Sequence, residues 1–203
     1  DGEVIKILYH GRLSPEKGVI ELAEAFGKLA KAYSVKLIFH GDDPEESQST
    51  KKKLFEITSP YRDKVEFIPF NGHNGEGYNG ISHGDDIGKY LMGQCHLFVV
   101  PSNSETFCIT IPEAMHRNIP VLASDLEVFR ELYGDSIMKF SREDTDSLQS
   151  GITQFVRNPH GHSELVERAC QKSLSFGWDE VADEHLRVYQ YAMSRRPLNP
   201  YLP

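Results

Sequence analysis

Short β-rich apolar runs alternate with segments of helical apolar spacing along almost the whole chain, and that alternation restricts the fold more than any other feature. Runs at 4–9, 35–39, 65–70, 97–100, 120–123 and 137–140 are rich in Val, Ile, Leu and Phe and are bounded by Gly, Pro, Asn or Asp, the pattern of buried strands. Between them, Leu22, Ala25, Phe26, Leu29 and Ala30 share one helical face within 19–33, and Leu148, Ile152, Phe155 and Val156 do so within 144–156. Further helices are expected after Asp43, with Pro44 in the first helical position, from an Asp85 or Asp86 cap to Gln94, at 128–133, and at about 162–174 and 178–194. The tail from 195 carries three prolines and reads as non-helical. Strands that alternate with helices pair in parallel and need a helix layer on each face. The expectation is an α/β fold: a Rossmann-like, doubly wound, six-stranded parallel sheet with strand order 3-2-1-4-5-6.

That order has a chemical consequence. Strands one and four become neighbours at the switch point, and ligands bind outside their carboxyl ends. The segment after strand one is GRLSPEKG, 11–18, with Arg12 and Lys17 as cations and Gly11 and Gly18 leaving room for close approach. The segment after strand four carries Glu105 and Glu113 with seven residues between them. Glu105 falls in a polar loop and Glu113 in the first turns of the next helix. Thr106, Phe107, Cys108 and Ile109 are expected at that helix N-terminus, where unpaired N–H groups and the positive dipole end suit an anion. Carboxylates accept hydrogen bonds from hydroxyls and repel phosphates. The set suits a ligand with hydroxyl-rich ends and an anionic middle, which is the shape of a nucleotide sugar.

Each residue also has a plainer reading. Arg12 and Lys17 could be solvated cations on a turn, Glu105 a loop carboxylate capping the next helix, and Glu113 a first-turn acid favoured by the dipole. The functional reading is preferred because Glu113 follows Pro112 early in a helix that otherwise reads as buried, where a carboxylate needs a partner.

GRLSPEKG followed by SETFCITIPEAM resembles the donor-binding, C-terminal domain of retaining GT-B-fold glycosyltransferases that carry an E-x7-E signature, the group 1 family. The resemblance covers roughly residues 4 to 194. It implies a retaining glycosyltransferase that moves a sugar from a nucleotide-diphosphate donor to an acceptor; because two cations such as Arg12 and Lys17 can replace a divalent metal at the diphosphate, the transfer is expected to be metal-independent. It implies that Arg12 and Lys17 hold the leaving diphosphate, that Glu105 contacts the transferred sugar and that Glu113 bonds the ribose hydroxyls. Gly11, Thr106, Phe107, Cys108 and Ile109 complete the donor-binding set, with Glu105, Arg12 and Lys17 as the catalytic candidates. The chain departs from the family at Cys108, where glycine is usual, and in a longer 71–84 loop. Residues 1–176 are assigned to the donor-binding domain, and 177–203 to a helix and tail that would pack toward an N-terminal acceptor-binding domain outside this chain. Without that domain the fragment is expected to be inactive. Two rival readings are a non-catalytic nucleotide-sugar-binding module and a sugar-nucleotide epimerase of similar architecture.

The remaining features set bounds. With 203 residues, 39% apolar and 26% charged, the chain can bury a full core. A net charge of -8 argues against nucleic acid as a partner. Cys95, Cys108 and Cys170 are odd in number and lack CxxC spacing, which points to reduced thiols and a cytoplasmic setting. No apolar run reaches the roughly 20 residues of a membrane span; a lipid acceptor would nonetheless bring the protein to a membrane surface. The chain starts at Asp1 almost directly with a strand, which points to a piece of something longer. Gly75 to Gly80 match G-x-G-x-x-G but follow strand three rather than strand one, so no dinucleotide fingerprint is read there. Asp144-Thr145-Asp146 reads as a helix cap and not a metal-nucleotide motif. His160-Gly161-His162 lacks a third ligand nearby, and no metal or other cofactor is expected. Cys108 has no evident basic partner and is not read as a nucleophile.

Overall fold

The computed structural model describes residues 3–43, 48–71, 77–79, 81 and 84–195. Six parallel strands form one sheet in the order β3-β2-β1-β4-β5-β6: β1 Ile5–His10, β2 Val35–His40, β3 Val65–Ile68, β4 Leu97–Val100, β5 Val121–Ser124 and β6 Met138–Phe140. This is the doubly wound order that the alternating pattern predicts. Along β1, Ile5, Ile7 and Tyr9 face one side while Leu8 faces the other, as the two-residue period of a strand requires. Likewise Leu97 and Val99 of β4 join the first core, and Phe98 and Val100 the second.

Each core is closed by helices. Over the first lie α1 (Val19–Leu29), α2 (Gln48–Thr58) and α6 (Thr145–Arg157), with α1 packed against both α2 and α6. Leu22, Ala25, Phe26 and Leu29 are buried there, as are Leu148, Ile152 and Phe155. Over the second lie α3 (Gly84–Met92), α4 (Thr110–His116), α5 (Glu127–Tyr133) and α7 (Ser163–Ser173), which contribute Ile87, Leu91, Ile111, Met115, Phe129 and Ala169 to that core. Truncating a fully buried aromatic such as Phe26 costs about 3–5 kcal/mol in sites of this kind. Helix α8 (Trp178–Arg195) ends the described chain.

Several boundaries move from their sequence expectations. Helix α1 stops at Leu29, where the Ala32 and Tyr33 N–H groups both bond back to the Leu29 carbonyl; tightening of the last turn ends the helix before Tyr33. Asp85 and Asp86 lie inside α3, which already begins at Gly84, so neither is its cap. Asp86 pairs instead with Lys89 one turn on. The expected Pro44 start of α2 and the tail beyond Arg195 lie outside the described residues.

Of the G-x-G-x-x-G match, Gly75, Glu76 and Gly80 also lie outside the described residues, while Gly77, Tyr78 and Asn79 lie within them. There Tyr78 forms an antiparallel bridge with Ile81 and donates its hydroxyl to Glu66 at 3.0 Å. At the start of α6 the Asp144 carboxylate accepts the Ser147 N–H at 2.8 Å, so Asp144-Thr145-Asp146 is a helix cap, and Asp146 pairs with Lys28 of α1 at 2.5 Å.

Candidate functional site

The carboxyl ends of β1 and β4 meet as neighbours, with Ile7 opposite Leu97 and Leu8 opposite Phe98. The segments that leave them are tied together. The Asn103 N–H donates to the Glu16 carbonyl at 2.9 Å. Gly18 takes a left-handed φ of 66°, and a Cβ there would stand 1.9 Å from the Pro101 carbonyl oxygen. Only a residue without a side chain lets the turn into α1 press this closely on the end of β4. Leu13, buried in the same turn, donates its N–H to the Asp42 carbonyl beyond β2.

This arrangement carries Lys17 to Glu105. The Lys17 ammonium lies 2.7 Å from Glu105 Oε1, and the two side chains are 18% and 13% exposed. Ser102 donates its hydroxyl to the same oxygen at 2.8 Å. Gly11, Lys17, Glu105, Cys108 and Ile109 line one cavity of about 170 Å³ together with Tyr9, His10, Ser102 and Thr110. Tyr9, His10, Ser102 and Thr110 are not among the residues that the sequence singles out. The signal for three of them is positional: Tyr9 and His10 end β1, and Ser102 follows β4 by two residues.

The remaining predicted residues are placed differently. Arg12 shares the loop with Lys17 but is largely exposed and stands 3.5 Å from Glu16; Ser14 also donates to Glu16, at 2.6 Å, and chiefly through that bond its carboxyl is held below the usual range. Thr106 is exposed. The helix N-terminus expected at 106–109 begins later, at Thr110, with Ile109 as its cap and seven helical residues in all. The delay has a backbone cause. Cys108 adopts a left-handed φ of 64°, which interrupts helical geometry ahead of Thr110. Glu113 is in the first turn of α4 as expected, but it lines a second cavity of about 510 Å³ with Phe107, Pro112, Arg117, Phe176 and Trp178. Ile109 borders both cavities.

Burial shapes the chemistry available. The Cys108 thiol is pushed up to about 11, mainly by burial, so it stays a thiol at neutral pH and lacks the thiolate a nucleophile needs. Burial, with Cys108 and Glu105 nearby, likewise raises the Tyr9 hydroxyl, which donates to the Arg12 carbonyl at 2.5 Å. Tyr133 braces the segment by donating to the Phe107 carbonyl at 2.8 Å. Among the described residues no group of three or more His, Cys, Asp or Glu side chains could hold a metal ion. His160 and His162 border a cavity of about 620 Å³ near Glu3 and Pro120, away from the switch point, and His162 stacks on Phe155.

A doubly wound parallel sheet of this strand order defines a Rossmann-like domain. The chain belongs to the Glycosyl transferases group 1 family, which matches residues 1–172. It is 27% identical over 190 residues to a phosphatidyl-myo-inositol mannosyltransferase of Mycobacterium leprae, covering 91% of this chain and 46% of that protein. Sucrose-phosphate synthase from Thermosynechococcus elongatus shares the fold with a TM-score of 0.77 at 21% identity, over 96% of this chain and 47% of the other. Anabaena HepE, solved in complex with UDP-glucose, does so with a TM-score of 0.73 at 21% identity, over 94% and 49%. The chain thus spans about half the length of the curated relatives it matches. None of the helices among the described residues is long and apolar enough to cross a membrane.

Proposed function

We propose that this chain is the donor-binding domain of a retaining glycosyltransferase, which moves a sugar from a nucleotide-diphosphate donor to an acceptor held by a separate N-terminal domain. The observation that carries the reading is the Lys17–Glu105 pair, 2.7 Å apart across the β1/β4 switch point. The costly event in such a transfer is cleavage of the anomeric C–O bond as negative charge builds on the diphosphate. Lys17 and Arg12 stabilise that charge, and they supply what a divalent metal supplies elsewhere, so the reaction is expected to proceed without one. Glu105 positions the sugar and steadies positive charge at its anomeric carbon. Glu113, on the far side of Ile109, takes the ribose hydroxyls. The UDP-glucose complex of HepE supports a nucleotide sugar as the class of partner. The exposure of Trp178, Leu186, Val188, Tyr189, Tyr191 and Met193 along α8 supports a role for 177–203 in packing toward the acceptor domain.

Calorimetry with UDP-glucose and with UDP tests the assignment. Lys17→Ala and Arg12→Ala are each expected to weaken binding by about 1.5–3 kcal/mol, the range for hydrogen bonds to charged groups. Glu113→Ala should weaken both ligands, whereas Glu105→Ala should weaken chiefly the sugar-bearing one. Unchanged affinity in both cation variants would remove the diphosphate assignment. Equal losses for both ligands in both glutamate variants would remove the division of roles.

A further inference from the structure

Among the described residues, those other than glycine that adopt a left-handed φ are Asn79, Cys108, Asn118 and Glu143. After glycine, Asn enters that region most readily, and Glu143 lies exposed in the turn before α6. Cys108 is neither an Asn nor exposed. Its backbone stays in a conformation that costs free energy for any residue with a Cβ and that glycine reaches freely. A side chain kept at that cost calls for a reason.

Part of the reason is packing, since Cys108 sits against the second core. The rest of its surroundings belong to the switch point. The thiol lies 3.3 Å from the Thr110 hydroxyl. The charges of Glu105 and Lys17 both act on it, and it acts in turn on the Tyr9 hydroxyl. Thr110, Glu105, Lys17 and Tyr9 all line the cavity of about 170 Å³ that Cys108 also lines, so the thiol stands among the groups of its wall. That volume is below the roughly 300–1,000 Å³ of ordinary ligand pockets, and in so small a space one side chain decides what fits. Burial keeps the thiol protonated, and a thiol is a weak donor and a weak acceptor. Its influence on a ligand is therefore one of shape.

We propose that Cys108 is a specificity-determining residue of the donor cavity: its side chain limits the space beside Lys17 and Glu105 to an unsubstituted hexosyl group and disfavours a 2-acetamido sugar. The inference rests on the donor-binding reading above and deepens it by naming the class of sugar. What points to a ligand here is the Lys17–Glu105 pair, 2.7 Å apart in the same cavity; Cys108 sets the bounds of the space around it. An acetamido group in place of a hydroxyl adds about the bulk of the Cys108 side chain. It also brings an amide that loses its water on entry, and the thiol offers no hydrogen bond strong enough to compensate. Glycine at 108 would free space of that size and keep the backbone, because the left-handed conformation suits it.

The test is titration calorimetry of the wild-type chain and of Cys108→Gly with UDP-glucose and with UDP-N-acetylglucosamine. The two ligands share base, ribose and diphosphate, so the ratio of their affinities reports on the sugar alone. The wild-type chain is expected to bind UDP-glucose at least about tenfold more tightly, and Cys108→Gly to reduce that preference by about tenfold, the lower end of what one small group in a pocket supplies. Cys108→Ala, which removes only the sulfur, should fall between the two and serves in place of the glycine variant if that one does not fold. A purely structural thiol would give another pattern: its loss would lower the thermal midpoint and weaken both ligands alike, leaving the ratio unchanged. That unchanged ratio overturns the proposal, as does a wild-type chain that binds the two ligands equally or prefers the acetamido sugar. Failure of the wild-type chain to bind either nucleotide sugar is a different result, which overturns the donor-binding reading and this inference with it.

Discussion

Replacing Lys17 by Met and Glu105 by Gln, singly and together, measures the contact on which the candidate site depends. At 2.7 Å, an effective dielectric of about 20 gives roughly 6 kcal/mol of gross attraction. Taking each charge out of water costs several kcal/mol, and both side chains are less than one-fifth exposed. The net coupling expected from a double-mutant cycle is therefore about 1–3 kcal/mol. Lys17→Met alone leaves the Glu105 carboxylate with the Ser102 hydroxyl, 2.8 Å away, and should cost about 2–3 kcal/mol, below the range for a fully buried charge with no remaining partner. Glu105→Gln keeps an acceptor for Ser102 and should cost less. Urea unfolding followed by circular dichroism at neutral pH gives all four stabilities, with an unchanged denaturant slope as the check that only the native state has lost contacts. Coupling of less than about 0.3 kcal/mol, within the error of additivity, would mean that the two loops are not held together through this pair.

Three further outcomes are expected. Gly18→Ala forces a Cβ into the Pro101 carbonyl at 1.9 Å in a left-handed conformation and should cost about 3 kcal/mol or more; a thermal midpoint indistinguishable from wild type would refute it. Below about pH 6.5 an unfolded His40 binds a proton that the folded one, held down to about 3, refuses. Stability therefore falls with pH below 6.5, by about 2 kcal/mol at pH 5, and His40→Phe should remove that share of the acid limb; superimposable limbs for the two proteins would count against it. Asp144→Ala removes the cap bond to the Ser147 N–H at 2.8 Å and should cost about 1 kcal/mol in chemical denaturation, with Asp144→Asn restoring most of it.

Part of the candidate site was legible because topology converts spacing into proximity. Lys17 and Glu105 are 88 residues apart, yet each follows a strand that the doubly wound order makes a neighbour of the other. The helix faces were legible for a similar reason: Leu148, Ile152 and Phe155 recur at helical spacing, and a half-buried helix must place such residues inward. Less legible was the delayed start of α4, because the left-handed Cys108 carries no Gly or Asn signal in the sequence. The split of Glu105 and Glu113 between two cavities was also hidden, since it depends on where Ile109 lies in space.

Sequence by itself determined the order of the strands, the two faces of the sheet and the loops that would meet at its switch point, because these follow from local periodicity and the rules for connecting parallel strands. Only the tertiary structure decided which side chains share a cavity. It set Ser102 and Tyr9 beside the ion pair and brought His10 over His40, because side-chain neighbours across strands depend on register and on the packing of Gly18 and Gly88 at close range.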